Sequence, residues 1–374
     1  MSTAPSNETE RYIGLMSGTS LDGIDAVLAE ITREGTTRFI AGHYLPYPQS
    51  LRQRLIGLHV PQNDEIHLAA LAAKELAHLY ADAINGLLEK TSHSPRQVRA
   101  IGCHGQTLRH RPDVGYTLQI GDAALLTELS GITVVANFRS RDLAAGGQGA
   151  PLVPAFHAHV LRHPSIHRVI VNIGGIANIT DLPPSGPVRG WDTGPGNMLM
   201  DAWIQAHHEA RYDKAGAWAH SGTVNTALLD RLLTHEYLHL PPPKSTGRDE
   251  FHLAYLKTVL GTLSVVINPV DVQATLLELT AQSLCRAIKQ ECRSAQEIYI
   301  CGGGVHNDAL LTRIATLLAP MLVNSTAVLG IDPDWMEALA FAWLARQTLH
   351  GLPGNLPEAT GASGERILGA VYPV

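Results

Sequence analysis

Residues 12–25 read Tyr-Ile-Gly-Leu-Met-Ser-Gly-Thr-Ser-Leu-Asp-Gly-Ile-Asp, an apolar strand signal that runs into a small, polar turn and then back toward an apolar strand at residues 26–31. A bend made of Ser17, Gly18, Thr19 and Ser20 offers backbone N–H groups and hydroxyls to an anion. Glycine at such a bend lets a phosphate approach without a Cβ in the way. Asp22 and Asp25 beside it are carboxylates suited to a hydrated Mg²⁺ that travels with ATP. The stretch is not a Walker loop, because it has no Gly-Lys-Ser/Thr and no helix follows at once. Standing alone, it reads equally as a glycine-bearing hairpin turn.

A second stretch repeats the arrangement. Residues 169–171 are an apolar strand, followed by Asn172-Ile173-Gly174-Gly175-Ile176-Ala177-Asn178 and a return to apolar sequence. Two glycine hairpins, one opening each half of the chain, point to a duplicated architecture with phosphate held between the halves. A chain of 374 residues is long enough for two domains. The expected division is residues 1–165 and 166–334, with the C-terminal part from about 335 to 374 returning to the first domain.

Outward from these hairpins, strands are expected at residues 38–44, 98–102, 117–120 and 134–136, and a long helix at 66–88. The first short strand leads into Cys103-His104-Gly105-Gln106-Thr107-Leu108-Arg109-His110-Arg111, polar groups expected at the carboxyl edge of a sheet, where open α/β folds bind ligands. Asp122 reads both as the N-cap of a helix over 123–130 and as a site residue. Beyond residue 136 come Asn137, Arg139 and Asp142, then three glycines within residues 146–149, a flexible loop with polar heads able to close over a sugar. A helix over 156–163 follows. Its His159 and His163 have the spacing of helical metal ligands but lack an evident third ligand.

In the second half, Trp191-Asp192-Thr193-Gly194-Pro195-Gly196-Asn197 places Asp192 at a strand end. There it has the chemistry of a general base, or of an Asx-turn residue satisfied by the N–H of Gly194. His235-Glu236-Tyr237-Leu238-His239 matches the zinc-protease pattern, which works only on a continuing helix. Pro241, Pro242 and Pro243 stop any helix there, so the match reads as a coincidence. A long helix opened by Asp271 spans 271–288. A strand at 298–300 then enters Gly302-Gly303-Gly304, bare backbone on which a flat group such as adenine can rest. Residues 335–350 read as a final amphipathic helix with Glu337 in its first turn.

Composition bounds the function. The net charge of −6 supplies no basic field for nucleic acid or anionic membrane. No apolar run approaches the ~18 residues of a membrane span. The four cysteines form no Cys-x-x-Cys pair, and the first ten residues lack the features of a signal peptide, so a cytoplasmic location is expected.

Taken together, the pieces at 14–25, 102–111, 119–122, 137–151, 172–180, 191–197, 243–251 and 301–307 resemble the anhydro-N-acetylmuramic acid kinase family of bacterial cell-wall recycling. The resemblance implies two ribonuclease-H-like α/β domains that close over a central nucleotide and sugar cleft, as in actin, heat-shock ATPases and sugar kinases. It implies ATP and Mg²⁺ as cofactors, a small anhydro amino sugar as substrate, and a homodimer. By the resemblance, Asp192 is the catalytic base. Ser17, Gly18, Thr19, Ser20, Leu21, Asp22, Gly23 and Ile24 hold the ATP phosphates, with Asp22 near the metal. Gly174 and Gly175 form the second phosphate hairpin, and Gly302, Gly303 and Gly304 face adenosine. Gln119, Asn137, Arg139, Asp142 and Glu337 line the sugar pocket. Competing readings are a regulatory ATPase of the same fold, another sugar kinase, and a zinc hydrolase built on His235 and His239.

Overall fold

The structure is a computed structural model that describes residues 9–18, 20–247 and 249–374. In chain order the first elements are β1 (Thr9–Ser17), β2 (Gly23–Thr32), β3 (Thr37–Pro46), α1 (Gln49–Gly57), α2 (Glu65–Thr91), β4 (Ala100–Arg111), β5 (Tyr116–Ile120), α3 (Ala123–Ser130), β6 (Val134–Ala136), α4 (Ser140–Ala144) and α5 (Val153–Leu161). Then follow β7 (Arg168–Ile173), β8 (Ile176–Leu182), β9 (Arg189–Pro195), α6 (Met198–His207), α7 (Ala217–Ser221), α8 (Thr226–Leu233), α9 (Leu253–Gly261), α10 (Pro269–Glu291), β10 (Glu297–Cys301), α11 (Asp308–Leu318) and β11 (Leu322–Ser325). The chain ends with α12 (Met336–Leu349), α13 (Pro357–Thr360) and β12 (Ala370–Tyr372). It divides into two compact units, residues 1–160 with 335–374, and residues 161–334.

The two units use one sheet plan. In the first, the order is β12-β6-β4-β1-β2-β3, with β5 paired to β4. In the second it is β11-β10-β7-β8-β9. In each, the first three strands form an antiparallel meander, and the fourth lies parallel to the first on its other side. This is the ribonuclease-H-like order, written twice in one chain.

Apolar periodicity accounts for the helices of the first unit. In α2 the buried residues Ala72, Leu76, Tyr80, Ala83 and Leu87 recur every three to four positions and cover one face of the sheet. Its core joins them to Ile13, Leu15, Ile24, Leu28 and Ile101. α12 differs from the amphipathic helix expected at 335–350. From Ala338 to Gln347 every residue is buried, because the helix lies against β1, β2, β4 and β6. A helix apolar on all sides belongs in a core, which its composition signals better than its period does.

Further boundaries depart from expectation. β4 does not end at Gly102. It continues through Arg111, because β5 returns along it as a hairpin and satisfies its backbone. The expected helix at 156–163 ends at Leu161, so His159 lies on it and His163 does not. His159 stacks against Trp343, while the His163 Nδ1 accepts the N–H groups of Ser165 and Ile166. α10 begins at Pro269, a favoured first helical residue, with Asn268 at its N-cap. Asp271 instead accepts the N–H of Thr223.

Candidate active site

The first glycine turn joins β1 to β2. Thr19, expected to hold phosphate, lies outside the described residues, as does Arg248. Ser17 is buried, and its hydroxyl faces the interior, donating to the carbonyl of Gly105 and sharing a 2.8 Å hydrogen bond with Tyr80. That corrects the expectation that its side chain meets a phosphate. Leu21 and Ile24 are likewise core residues, 2 % and 0 % exposed, so only their backbone is available to an anion. Asp22 is exposed, and its Oδ1 accepts the Ser20 hydroxyl at 2.6 Å. Gly23 is required by packing, since a Cβ there would meet the Leu45 carbonyl and the Tyr44 ring.

In the second unit, the turn between β7 and β8 leans on the start of α6. The Gly174 carbonyl accepts the N–H of Asn197, and the Gly175 carbonyl accepts those of Gly196 and Met198. A Cβ on Gly174 would lie 3.6 Å from the Ile176 carbonyl oxygen and one on Gly175 would lie 3.7 Å from the Met198 Cβ, ordinary contacts, so packing does not require glycine at either position. Within the glycine run after β10, the three positions divide. A Cβ on Gly302 would lie 2.2 Å from the Asn172 Oδ1, and one on Gly304 would lie 2.3 Å from the Ile173 side chain. Only Gly303 is exposed with open space beyond it. The run is thus two packing glycines and one that presents bare backbone.

Asp192 sits on β9 beside a bulge. The β8–β9 register slips between Ala177 and Asn178, so Thr193 is the extra residue. Bulges bend a strand and re-aim the side chains beside them. The segment around Lys244 clamps Asp192 from one side. Its backbone N–H donates to the Lys244 carbonyl, and its carbonyl accepts the Tyr237 hydroxyl at 2.8 Å. The Thr246 N–H donates to Oδ2 at 3.0 Å, the place an Asx-turn would have given to Gly194. The Lys244 ammonium lies 4.7 Å from the Tyr237 ring centre and donates to that residue's carbonyl. Burial pushes the Lys244 ammonium pKa down, with the Asp192 carboxylate opposing it. Asp192 is therefore held at its N–H, its carbonyl and one carboxylate oxygen while it stays partly exposed.

The sugar-facing residues expected in the first unit come together unevenly. The Arg139 guanidinium donates to the Nε2 of His104 and, at 2.7 Å, to the Gly149 carbonyl. Burial, and then the Arg139 charge, holds His104 well below the usual histidine range, which keeps it a neutral acceptor. Glu337, on the first turn of α12, is raised by burial, with the Arg139 charge opposing. Asn137 is exposed with a positive φ of 58°, and its Oδ1 accepts the Ser140 hydroxyl. Gln119 is half-buried on β5 and donates to Thr107 and Thr117.

Asp142 departs from expectation. It is 0 % exposed, and both of its oxygens are used inside the protein. Oδ1 accepts from Asn355 and Thr360, and Oδ2 accepts the Gly149 N–H, each at 2.7 Å. It fixes the loop that carries Arg139 rather than meeting a ligand. The expected open loop accordingly begins with the short helix α4. The local sequence could not reveal this, because two of the three partners lie more than 200 residues away.

The structure disposes of the zinc reading by geometry. Residues 236–239 form only a 3₁₀ turn, with His235 as its N-cap against Phe251 and Tyr255. His239 is bound to the Leu233 carbonyl. Among the described residues, no group of three His, Cys, Asp or Glu is placed to hold a metal ion. Asp122 proves to be the α3 N-cap, accepting the Leu125 N–H. Sequence reading missed a groove of about 780 Å³ lined by residues including Ala215, Ala217, Ala274, Asp308, Ala309 and Thr312. Its signal was the run of small residues Ala215, Gly216 and Ala217.

A sheet order used twice, with a glycine turn after the first strand each time, defines an α/β protein of the duplicated ribonuclease-H class. The family model for anhydro-N-acetylmuramic acid kinase matches residues 10–374. The anhydro-N-acetylmuramic acid kinase of Thiobacillus denitrificans is 65% identical over 373 residues, all of both chains. That of Nitrosospira multiformis is 52% identical over 97% of this chain and 98% of its own. Among solved structures, the activator of the 2-hydroxyisocaproyl-CoA dehydratase from Clostridium difficile is similar over 92% of this chain and 98% of its own, with 11% identity and a TM-score of 0.47. The chain belongs to the anhydro-N-acetylmuramic acid kinase family and is a phosphotransferase.

Proposed function

We propose that this kinase opens the internal bridge of 1,6-anhydro-N-acetylmuramic acid and phosphorylates the released O6 in one coupled event, with Asp192 as the base. The overall conversion consumes ATP and water and gives N-acetylmuramic acid 6-phosphate and ADP in murein recycling. In this substrate O6 is tied to the anomeric carbon, so no free 6-hydroxyl exists to attack ATP. Asp192 takes a proton from a water, whose oxygen bonds to C1. The C1–O6 bond breaks, and its electron pair on O6 attacks the γ-phosphorus. The bond from that phosphorus to the β–γ bridging oxygen breaks, and ADP leaves with the electrons. This resembles the base half of an inverting glycosidase, joined to a phosphoryl transfer that depends on positioning.

The observation that carries the reading is the clamp on Asp192. The Lys244 carbonyl, the Tyr237 hydroxyl and the Thr246 N–H hold Asp192 in place with its carboxylate partly exposed. The turns that carry Gly18 and Gly174–Gly175 are suited to the phosphates, and Gly303 and the groove lined by Ala215, Asp308 and Ala309 are candidates for the nucleoside. About 780 Å³ is in the range of small-molecule sites. Arg139 is suited to the lactyl carboxylate, since a guanidinium binds carboxylates in a planar fork. Asn137, Gln119 and Glu337 are read as its neighbours in sugar recognition.

Mg²⁺ fits Asp22. The carboxylate is exposed, with one oxygen engaged by Ser20, and a nucleotide-borne magnesium needs only one or two carboxylates because it keeps several waters. Bound there, the ion would neutralise phosphate charge. The protein is read as a cytoplasmic homodimer; no described helix is long and apolar enough to cross a membrane. The test is the product mass from the anhydro sugar, ATP and Mg²⁺ in ¹⁸O-water. One heavy oxygen at the anomeric carbon of a sugar phosphate is the expected result. A sugar phosphate without it would overturn the coupled hydrolysis.

A further inference from the structure

We propose that Gln106 is a positioning residue for the ATP phosphates, which acts by orienting the peptide group of Gly18 where β1 turns toward β2. The inference rests on the reading of that turn as the phosphate holder. An anion is attracted by N–H groups and repelled by carbonyl oxygens, so a turn binds phosphate only if its carbonyls point elsewhere. The carbonyls of Gly18, Leu21 and Asp22 are drawn back into the protein. The Gly18 carbonyl accepts the Gln106 Nε2 at 3.1 Å, as well as the Leu21 N–H. The Leu21 carbonyl accepts the Arg52 Nε at 3.1 Å. The Asp22 carbonyl accepts both the Tyr47 N–H and the Tyr44 hydroxyl, each at 2.9 Å. Leu21 itself holds a left-handed φ of 56°, a conformation a leucine keeps only where its surroundings impose it.

Gln106 is the buried centre of this arrangement, at 0 % exposure. It reaches the turn because the β1–β4 register slips between Leu15 and Ser17, bringing Gln106 opposite Ser17, and because Gly105 takes a positive φ of 76°. An amide can sit either way round, and only one way serves here. The Gly18 carbonyl can only accept, which commits Nε2 to it and leaves Oε1 to accept the Tyr47 hydroxyl at 3.2 Å. Tyr80 and Ser17 close the pocket behind, with Ser17 donating to the Gly105 carbonyl. Burial holds both phenols protonated, so they remain donors.

The test compares Gln106→Glu, Tyr47→Phe and Ser20→Pro in the full chain. The readouts are AMPPNP affinity by calorimetry, KM for ATP and KM for the anhydro sugar. Gln106→Glu sets a carboxylate against the Gly18 carbonyl and is expected to weaken AMPPNP binding about tenfold or more, while sugar KM stays within about twofold. Tyr47→Phe removes one hydroxyl, leaves Oε1 of the buried amide without its donor and its hold loosened, and is expected to shift nucleotide affinity the same way by a smaller factor. It decides the matter if Gln106→Glu does not fold. Unchanged AMPPNP affinity in these variants, or equal rises in both KM values, overturns the positioning role. Ser20→Pro deletes a turn amide. If it too leaves AMPPNP affinity unchanged, the phosphate reading of the turn itself falls. If it alone weakens binding, only the role of Gln106 falls.

Discussion

Gly14 of β1 and Gly102 of β4 are register partners in neighbouring parallel strands, and together they form a floor without side chains on which α12 rests. A Cβ on Gly14 would lie 1.8 Å from the Ala338 carbonyl oxygen, and one on Gly102 would lie 2.0 Å from that of Phe341. Backbone thus packs on backbone, which brings a helix from the far end of the chain onto the strand that ends in the first glycine turn. The same seating places Glu337 at the start of that helix.

Gly14→Ala and Gly102→Ala are therefore expected to destabilise the first unit by about 1–3 kcal/mol or more, the range for overpacking a filled core. Thermal unfolding read by circular dichroism checks this. A melting temperature equal to that of the parent for both variants would mean that α12 is not seated as described.

Asp192→Asn keeps the shape and most of the backbone clamp but removes the base. Turnover is expected to fall about 10²–10⁴-fold, with AMPPNP affinity unchanged. Single-turnover kinetics beside calorimetry separates the two quantities. Near-parent turnover would remove Asp192 from its role.

Asp142→Asn is expected to act through the loop. The new NH₂ group must face donors from Asn355 and Thr360 or from Gly149, leaving buried groups unpaired at a cost of about 1–3 kcal/mol. Because the Gly149 carbonyl anchors Arg139, sugar KM should rise while ATP KM holds. Equal changes in both constants would argue against this path.

Acid should loosen the first unit before carboxylates titrate. His104, His110 and His157 are all depressed by burial, His110 to about 4 and His157 to about 3, with Arg139 adding to the effect on the first two. In the unfolded chain they take up protons below about pH 6.5, whereas in the folded chain they remain neutral. The unfolded state then binds more protons, so stability falls as pH drops below about 6.5 and levels off only below the folded values. Each contributes up to about 1.4 kcal/mol per pH unit in that window. Melting temperature measured from pH 7.5 to 5 checks the slope, and His157→Phe should flatten it. A flat profile for the parent protein would show that these groups are not held neutral.

Much of this was legible in the residues themselves. Strand and turn signals placed β5, α3 and β6 closely, because each is bounded by local punctuation: Gly121 with Asp122 before α3, and Gly131 after it. Both glycine hairpins were also readable, since they depend on residues adjacent in the chain, whereas Asp192, expected at a strand end, lies in the middle of β9, which pairs with β8 as far as Pro195. The length of β4, the burial of α12 and the structural use of Asp142 were not, because each depends on a partner distant in sequence.

The sequence alone determined the duplication, the two turns rich in small residues, the acidic residue that follows Trp191, and the family, since all of these are written in contiguous stretches. Tertiary structure decided what each polar group does. Ser17 and Asp142 look like ligand contacts in sequence, yet the fold turns both inward, because a buried hydroxyl or carboxylate must find partners within the protein. Gln106 lies in the polar stretch at 103–111 expected at a sheet edge, but nothing in that stretch singles it out from its neighbours. Packing places its amide beneath the first glycine turn, and the Gly18 carbonyl, which can only accept, fixes which way that amide faces.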